Sequence, residues 1–245
     1  MVSLPMTEFV HGLQLSDDEK RLLDKTPDSE REARLQQRLL DIESLDSAPT
    51  ESHALQWATL ALEIAALYLD LGLKDRAGMY ARQSVDRFIA NNAFEDAALA
   101  CQYVYLADHP DAIAAIGQAA WLSVTYPVDP HLTANILNHI IDETPDHSDG
   151  GAVAAATAHY VVDMRSTETE HEELKLFTGT NLARVASRHS NIKTQQEFEL
   201  WVERLELDDP EKFLVRLRNV VDVMVQTDWW FDREACLRNI PDEPA

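Results

Sequence analysis

The chain has 245 residues, of which 43 are acidic and 21 basic, so its formal net charge is −22. So acidic a surface repels phosphate groups, which argues against direct binding to nucleic acid or to an anionic membrane. Only 7 glycines and few runs of β-branched residues leave little material for β-hairpins. The chain is therefore expected to be all-α.

The two cysteines, Cys101 and Cys236, stand 135 positions apart and form no CxxC pair. The first basic residue is Lys20, so the positively charged start of a secretory signal is missing. No apolar run approaches the roughly 18 residues that a membrane-spanning helix needs. These features predict a cytoplasmic protein with buried, unpaired thiols.

Residues 1–50 are predicted to form an N-terminal helical segment. Ser16 and Glu19 have the spacing of a capping box, and Thr26-Pro27 is a second favourable helix start. Four apolar residues then recur at helical spacing and draw one buried stripe: Leu35, Leu39, Ile42 and Leu45. The stretch 46–52, with Pro49 inside it, is predicted to be a linker.

Residues 51–165 form the most regular part of the sequence. Helices are predicted from about 51 to 72, 74 to 90, 94 to 107, 110 to 126, 131 to 142 and 152 to 165. The stretch 144–151, which contains a Pro, two Asp, a Ser and a Gly pair, is predicted to be a loop.

A grid of four residues occurs twice in this region, with each member 35 positions after its counterpart: Ala65, Tyr68, Gly72 and Ala77, then Ala100, Tyr103, Ala107 and Ala112. A repeat of this length is close to one helix-turn-helix unit. Small residues let two helices approach closely, and the tyrosines fill the space between them. Residues 58–125 therefore predict two consecutive helical hairpins.

This pattern resembles the tetratricopeptide repeat (TPR), in which a small residue and an aromatic three positions later mark the first helix of each hairpin. The large aromatic usual in the second helix is replaced by Ala81 and Ile116, and the proline that ends each repeat by Ile89 and Val124. The resemblance implies a TPR-like superhelix or bundle of stacked hairpins that binds another protein.

The resemblance also implies which residues line a partner-binding groove, namely those on the first helix of each hairpin: Leu62, Ala66, Leu69 and Asp70, then Ala97, Cys101, Val104 and Tyr105. The Lys and Asn residues that hold a terminal carboxylate in chaperone-binding members are missing. An apolar helix or extended segment is therefore the expected guest. The alternative is that the same residues pack against the N-terminal helices.

Residues 166–245 are predicted to form a C-terminal helical cap. Capping boxes stand at Thr167-x-x-Glu170 and Thr194-x-x-Glu197, and Asp209-Pro210 opens the last long helix. Its predicted buried face comprises Phe213, Leu214, Leu217, Val220, Val221 and Met224. The chain then reaches Trp229, Trp230 and Phe231, which cannot all face one core. Trp229 and Trp230 either contact a partner or seal the bundle.

Histidines are concentrated between residues 131 and 171, and they share this stretch with many acids: His131, His139, His147, His159 and His171. Glu168-x-x-His171 has a spacing used in di-iron helical bundles, but such a site needs a second motif and two more glutamates. No cofactor or metal is therefore expected. Motifs for nucleophilic catalysis or phosphate binding are also missing.

The sequence thus favours a non-catalytic adaptor or assembly chaperone, whose acidic exterior attracts a protein partner with a basic surface. Two alternatives stay open. One is an acidic regulator or DNA mimic that occupies a basic partner. The other is a helical metalloenzyme that uses the histidine-rich stretch.

Overall fold

The computed structural model describes residues 15–24, 29–46 and 53–238, apart from the side chains of residues 17, 18, 24 and 170. These residues form helices and no strand, which confirms the all-α class. The predicted start at Thr26-Pro27 and most of the predicted linker 46–52 lie outside the described residues. The helices are α1 (Asp17–Asp24), α2 (Glu30–Asp46), α3 (Ala54–Asp70), α4 (Lys74–Ala90), α5 (Phe94–Leu106), α6 (Ala112–Thr125), α7 (Pro130–Glu143), α8 (Asp149–Arg165), α9 (Glu168–Ser190), α10 (Gln195–Arg204), α11 (Pro210–Val225) and α12 (Arg233–Leu237).

The chain divides into two compact units. Unit 1 comprises residues 1–112 and 230–245, and its described part contains α1–α5 and α12. Unit 2 comprises residues 113–229 and contains α6, apart from its first residue, and α7–α11. This division differs from the three predicted segments, because the predicted boundary at 165/166 falls inside unit 2, between two helices that pack together.

Unit 1 is a stack of helices that follow one another in the chain. The predicted stripe on α2 is buried at Leu35, Leu39 and Ile42, and α2 packs against α3. In turn α3 packs against α4, and α4 against α5. Small residues allow this close approach, since a Cβ added at Gly78 of α4 would lie 3.3 Å from the Cβ of Ala107.

The helices of this stack end in a repeated turn. The middle residue of each turn has a positive φ: 72° at Gly72, 56° at Asn92 and 52° at Asp108. Gly, Asn and Asp are the residues that adopt this left-handed conformation most readily. In each turn a backbone N–H returns to a carbonyl five residues earlier, which satisfies the helix end. These pairs are Leu73 to Tyr68 at 2.8 Å, Ala93 to Phe88 at 2.9 Å and His109 to Val104 at 3.4 Å.

The repeat-like stack is shorter than the sequence predicts. Helices α5 and α6 are the predicted second hairpin, but α5 belongs to unit 1 and all but the first residue of α6 to unit 2. The compact stack of unit 1 thus comprises successive neighbours from α2 to α5. Stacked, pairwise packed helices are what the structure shares with a helical repeat.

Unit 2 is built around α8, which packs against α7, α9 and α11. Every residue from Gly151 to Ala158 is buried. A helix that is apolar on all sides must be surrounded by others, and alanine combines high helix propensity with the small size that this crowding requires. The Ala-rich sequence therefore makes α8 the central helix of the unit.

Helix α8 begins earlier than the sequence predicts. The Asp149-Gly150-Gly151 stretch is predicted to be loop, yet the helix starts at Asp149 because the Ser148 hydroxyl accepts a hydrogen bond from the Gly150 N–H at 3.2 Å. At the other end, Arg165 donates to the carbonyls of Ser123 and Val124 at 2.8 and 3.0 Å. A guanidinium there satisfies the carbonyls that the end of α6 leaves free.

Candidate functional site

Four of the eight predicted groove residues are buried. Leu62 on α3 is 7% exposed, and Ala97, Cys101 and Val104 on α5 are fully covered. Burial raises the pKa of the Cys101 thiol. Arg82 and Asp86 of α4 are close enough to influence this pKa, so this side of α5 faces α4. These side chains are inaccessible to a partner in this conformation, because they pack inside unit 1.

The other predicted groove residues on α3 remain accessible. Ala66 and Leu69 are half-buried, and Asp70 is exposed. On α5, the residue beside Asp70 is Tyr103: burial raises the pKa of its hydroxyl, and the Asp70 carboxylate raises it further. Tyr105 lies about 200° from Tyr103 around the helix axis, so the two tyrosines point in opposite directions. The structure therefore brings Tyr103 close to Asp70.

This part of unit 1 also carries apolar side chains that the sequence analysis did not select. Leu106, three positions after Tyr103 and so on the same side of α5, is 37% exposed. Leu73 in the α3–α4 turn is 49% exposed. An ion pair between Lys74 and Asp108 connects that turn to the one that ends α5. We define the α3–α5 face as Ala66, Leu69, Asp70, Leu73, Tyr103 and Leu106. It combines accessible apolar side chains with the Asp70 carboxylate, which lies 3.9 Å from the Arg31 guanidinium of α2.

Trp229 and Trp230 both contact their own chain. Within unit 1 the Arg82 guanidinium lies over the Trp230 ring, 4.1 Å from its centroid, and Arg82 also pairs with Asp86 at 3.0 Å. Within unit 2 the ring centroids of Trp229 and Trp121 are 6.0 Å apart in an edge-to-face arrangement. Both tryptophans are half-buried, so a packing role is present at each. Contact with a partner stays a prediction.

A buried carboxylate lies where α1 meets α3 and α4. Glu19 is 2% exposed, and the Tyr68 hydroxyl donates to its Oε1 at 2.9 Å. Burial alone would raise the pKa of Glu19, but hydrogen bonds from Ser16 and Tyr68, together with the Tyr80 hydroxyl that faces the carboxylate, hold it below its ordinary value. Arg76 Nη1 is 3.7 Å from the other oxygen. The predicted capping box is confirmed, since Ser16 N donates to Glu19 at 2.8 Å and Glu19 N to Ser16 Oγ at 3.3 Å.

The histidine-rich stretch is divided among separate contacts. His171 bonds to Ser166 at 2.8 Å and lies 3.6 Å from Asp163, while His159 bonds to Thr178 at 3.0 Å. Within residues 15–24, 29–46 and 53–238, no group of three His, Cys, Asp or Glu side chains is arranged to hold a metal ion. The metalloenzyme alternative gains no support from these residues.

A polar network that the sequence analysis missed joins α8, α9, α10 and α11. His189 Nε2 lies 3.1 Å from an oxygen of Asp149, whose other oxygen accepts from Arg216 at 2.7 Å. His189 Nδ1 is 2.6 Å from Ser190 Oγ and also accepts from the indole N–H of Trp201 at 3.1 Å. The lone pair that a general base would use is therefore already engaged by Trp201, so the network ties helix ends together.

The part of the chain that the structure describes contains no helix long and apolar enough to cross a membrane. The chain matches no protein-family model, no curated protein and no solved structure at a significant level. Inferences about its function therefore rest on the geometry of its two units.

Proposed function

We propose that the chain is a non-catalytic, TPR-like adaptor or assembly chaperone that acts in the cytoplasm and holds a protein partner on the α3–α5 face. The observation that supports this most directly is a set of accessible apolar side chains, Leu69, Leu73 and Leu106, on a stack of helices with a repeated turn. Helical stacks of this kind present an extended surface to other chains.

The composition of the face suggests the chemistry of the partner. Half-buried Tyr103 supplies a rigid aromatic surface, and the exposed Asp70 beside it supplies a carboxylate that a cation of the partner would share with Arg31 of α2. Such a combination suits a segment with an apolar residue and a nearby Lys or Arg. The net charge of −22 would speed the approach of a basic partner, and added salt would slow it.

The proposal is tested by capturing partners from the native source with the wild-type chain and with a Leu69→Ala/Tyr103→Ala variant. We expect the double variant to lose about tenfold or more in affinity for the main partner, because two central contacts are truncated. Tyr105→Ala should cost less, since Tyr105 points away from the face.

The matched control is Leu176→Ala on α9 of unit 2, where the side chain is 71% exposed. It removes one exposed apolar side chain outside the α3–α5 face and should leave binding unchanged. Equal capture by the double variant and the wild type, with the same circular dichroism, would rule out the α3–α5 face. Equal weakening by Leu176→Ala would point to non-specific adhesion.

A further inference from the structure

Helix α1 packs on α2, where Gln36 Nε2 donates to the Leu22 carbonyl at 2.6 Å. Its N-terminal end is held by two buried side chains four positions apart, Leu15 just before the helix and Glu19 in its first turn. Leu15 is 6% exposed and Glu19 2%. Lys20 and Arg21, on the other side of α1, are exposed to solvent. A helix of eight residues is too short to be stable on its own, so docking must hold it in place. An apolar anchor and a second anchor four positions later are how helical peptides bind to the surfaces of other proteins.

The surface that receives α1 is a carboxylate site built by α3 and α4. Tyr68 and Tyr80 are each 1% exposed, and their ring centroids are 5.8 Å apart. Tyr68 donates to the Glu19 carboxylate, Arg76 lies 3.7 Å from it, and the Tyr80 hydroxyl faces it without a hydrogen bond of good geometry. A phenol pair and a guanidinium select an acidic side chain over an apolar one.

A buried carboxylate is a costly way to fix a permanent element. Desolvation offsets most of the attraction in a buried ion pair, and an apolar side chain in its place is often at least as stabilising. Once the site exists, however, its polar groups discriminate strongly against any ligand that leaves them unpaired. The Glu19 contact therefore provides selectivity at little net gain in stability, as a replaceable ligand requires.

We propose that α1 is an internal ligand that closes this site, and that an acidic helical segment of a partner, with an apolar residue four positions before a glutamate, replaces it. Such a segment would reproduce Leu15 and Glu19 and provide an acceptor for the Tyr68 hydroxyl. This inference goes beyond the proposed function, because the site faces α1 while the α3–α5 face lies on another side of α3. Each can fail without the other.

The test uses the full chain and a fluorescein-labelled peptide of residues 12–25 as the probe, followed by anisotropy. Glu19→Ala should bind the probe about tenfold more tightly than wild type, because the variant's own α1 no longer competes well for the site. Adding Tyr68→Phe to that variant should reverse the gain. A probe with glutamine in place of its glutamate should bind weakly to every chain.

Glu43→Ala on the exposed side of α2 is the matched control and should bind the probe as wild type does. Hydrogen exchange provides the second readout: in Glu19→Ala, amides of α1 should exchange faster while those of α3 and α4 keep their protection. Loss of protection in α3 and α4, failure of Glu19→Ala to fold, or an unchanged probe affinity would each show that α1 is a fixed part of unit 1 and overturn the proposal.

Discussion

The two units satisfy their buried polar side chains in different ways. Among the described residues, the buried charged side chains are Glu19 and Arg87, and both lie in unit 1. The buried polar side chains of unit 2 are neutral, and each bonds to a carbonyl three or four residues earlier in the chain: Gln118, Ser123, Thr133, Thr157 and Thr178. Gln118 also bonds outside its own helix, to the Asp228 carbonyl at 3.4 Å, and Thr178 does so to His159 at 3.0 Å.

The charged groups of unit 1 connect different helices. Arg87 of α4 lies 3.7 Å from the ring centroid of Trp57 on α3, and burial lowers the pKa of its guanidinium while the nearby Asp46 of α2 raises it. The Glu19 carboxylate connects α1 to α3, because it accepts a hydrogen bond from the Tyr68 hydroxyl. Unit 1 thus buries charged groups at the contacts between its helices, whereas the centre of unit 2 buries neutral groups and depends mainly on the size of the side chains around α8.

The largest expected effect tests the first half of this contrast. Arg87→Met should destabilise unit 1 by about 3 kcal/mol, because it removes the cation over Trp57 and a positive charge that stabilises the partly buried Asp46 carboxylate. Thr157→Val on α8 should cost about 0.5–1 kcal/mol, since its hydroxyl bonds only within its own helix. Urea denaturation of both variants measures the difference, and similar losses would remove the contrast.

A somewhat smaller effect tests the second half. Ala155 on α8 is fully buried, and Ala155→Leu should cost about 1–3 kcal/mol because the extra atoms have no space between the surrounding helices. Ala183→Leu on the exposed side of α9 is the matched control and should change stability by about 0.5 kcal/mol or less. Equal urea midpoints for the two variants would show that α8 is loosely packed.

The smallest effect concerns pH, to which the units should respond in different ranges. In unit 2, burial lowers the pKa of His139 and His159 below the ordinary value of 6.5. The unfolded chain then binds protons that the folded unit resists, so unit 2 should lose stability as pH falls below about 6.5.

In unit 1 the pKa of Glu19 is held below 4.5, so its stabilising contribution persists above that pH and disappears as pH falls through the folded value. Protection against amide exchange, compared at pH 7.5, 5.5 and 4, should therefore be lost first in α7 and α8, which carry His139 and His159, and His159→Gln should reduce that early loss. If α1 loses protection at a higher pH than α8 does, the histidines of unit 2 are not the first groups whose protonation destabilises the protein.

Local structure was the most predictable part of this molecule. The predicted helix 74–90 matches α4, and the capping box at Thr194 and Glu197 forms as predicted. Asp209 likewise caps α11 ahead of Pro210. At Thr167, by contrast, the side chain makes no capping hydrogen bond. These features depend on residues a few positions apart, so the sequence contains most of the information.

The candidate site was less predictable because it depends on helix rotation. The resemblance to the TPR implied that Ala97, Cys101 and Val104 line a groove, yet that side of α5 packs inside unit 1. The capping role of Glu19 followed from Ser16, three positions away, but its bond to Tyr68 spans 49 positions. Contacts across such distances are set by packing, which periodicity does not specify.

Both cysteines of the chain lie buried in unit 1, at Cys101 on α5 and Cys236 on α12. A thiol reagent can modify them only when the covering helices open, and burial raises the pKa of both, which keeps them in the unreactive protonated form. The rate of labelling therefore reports how often unit 1 opens. Because both thiols lie in unit 1, this measurement follows the opening of that unit alone.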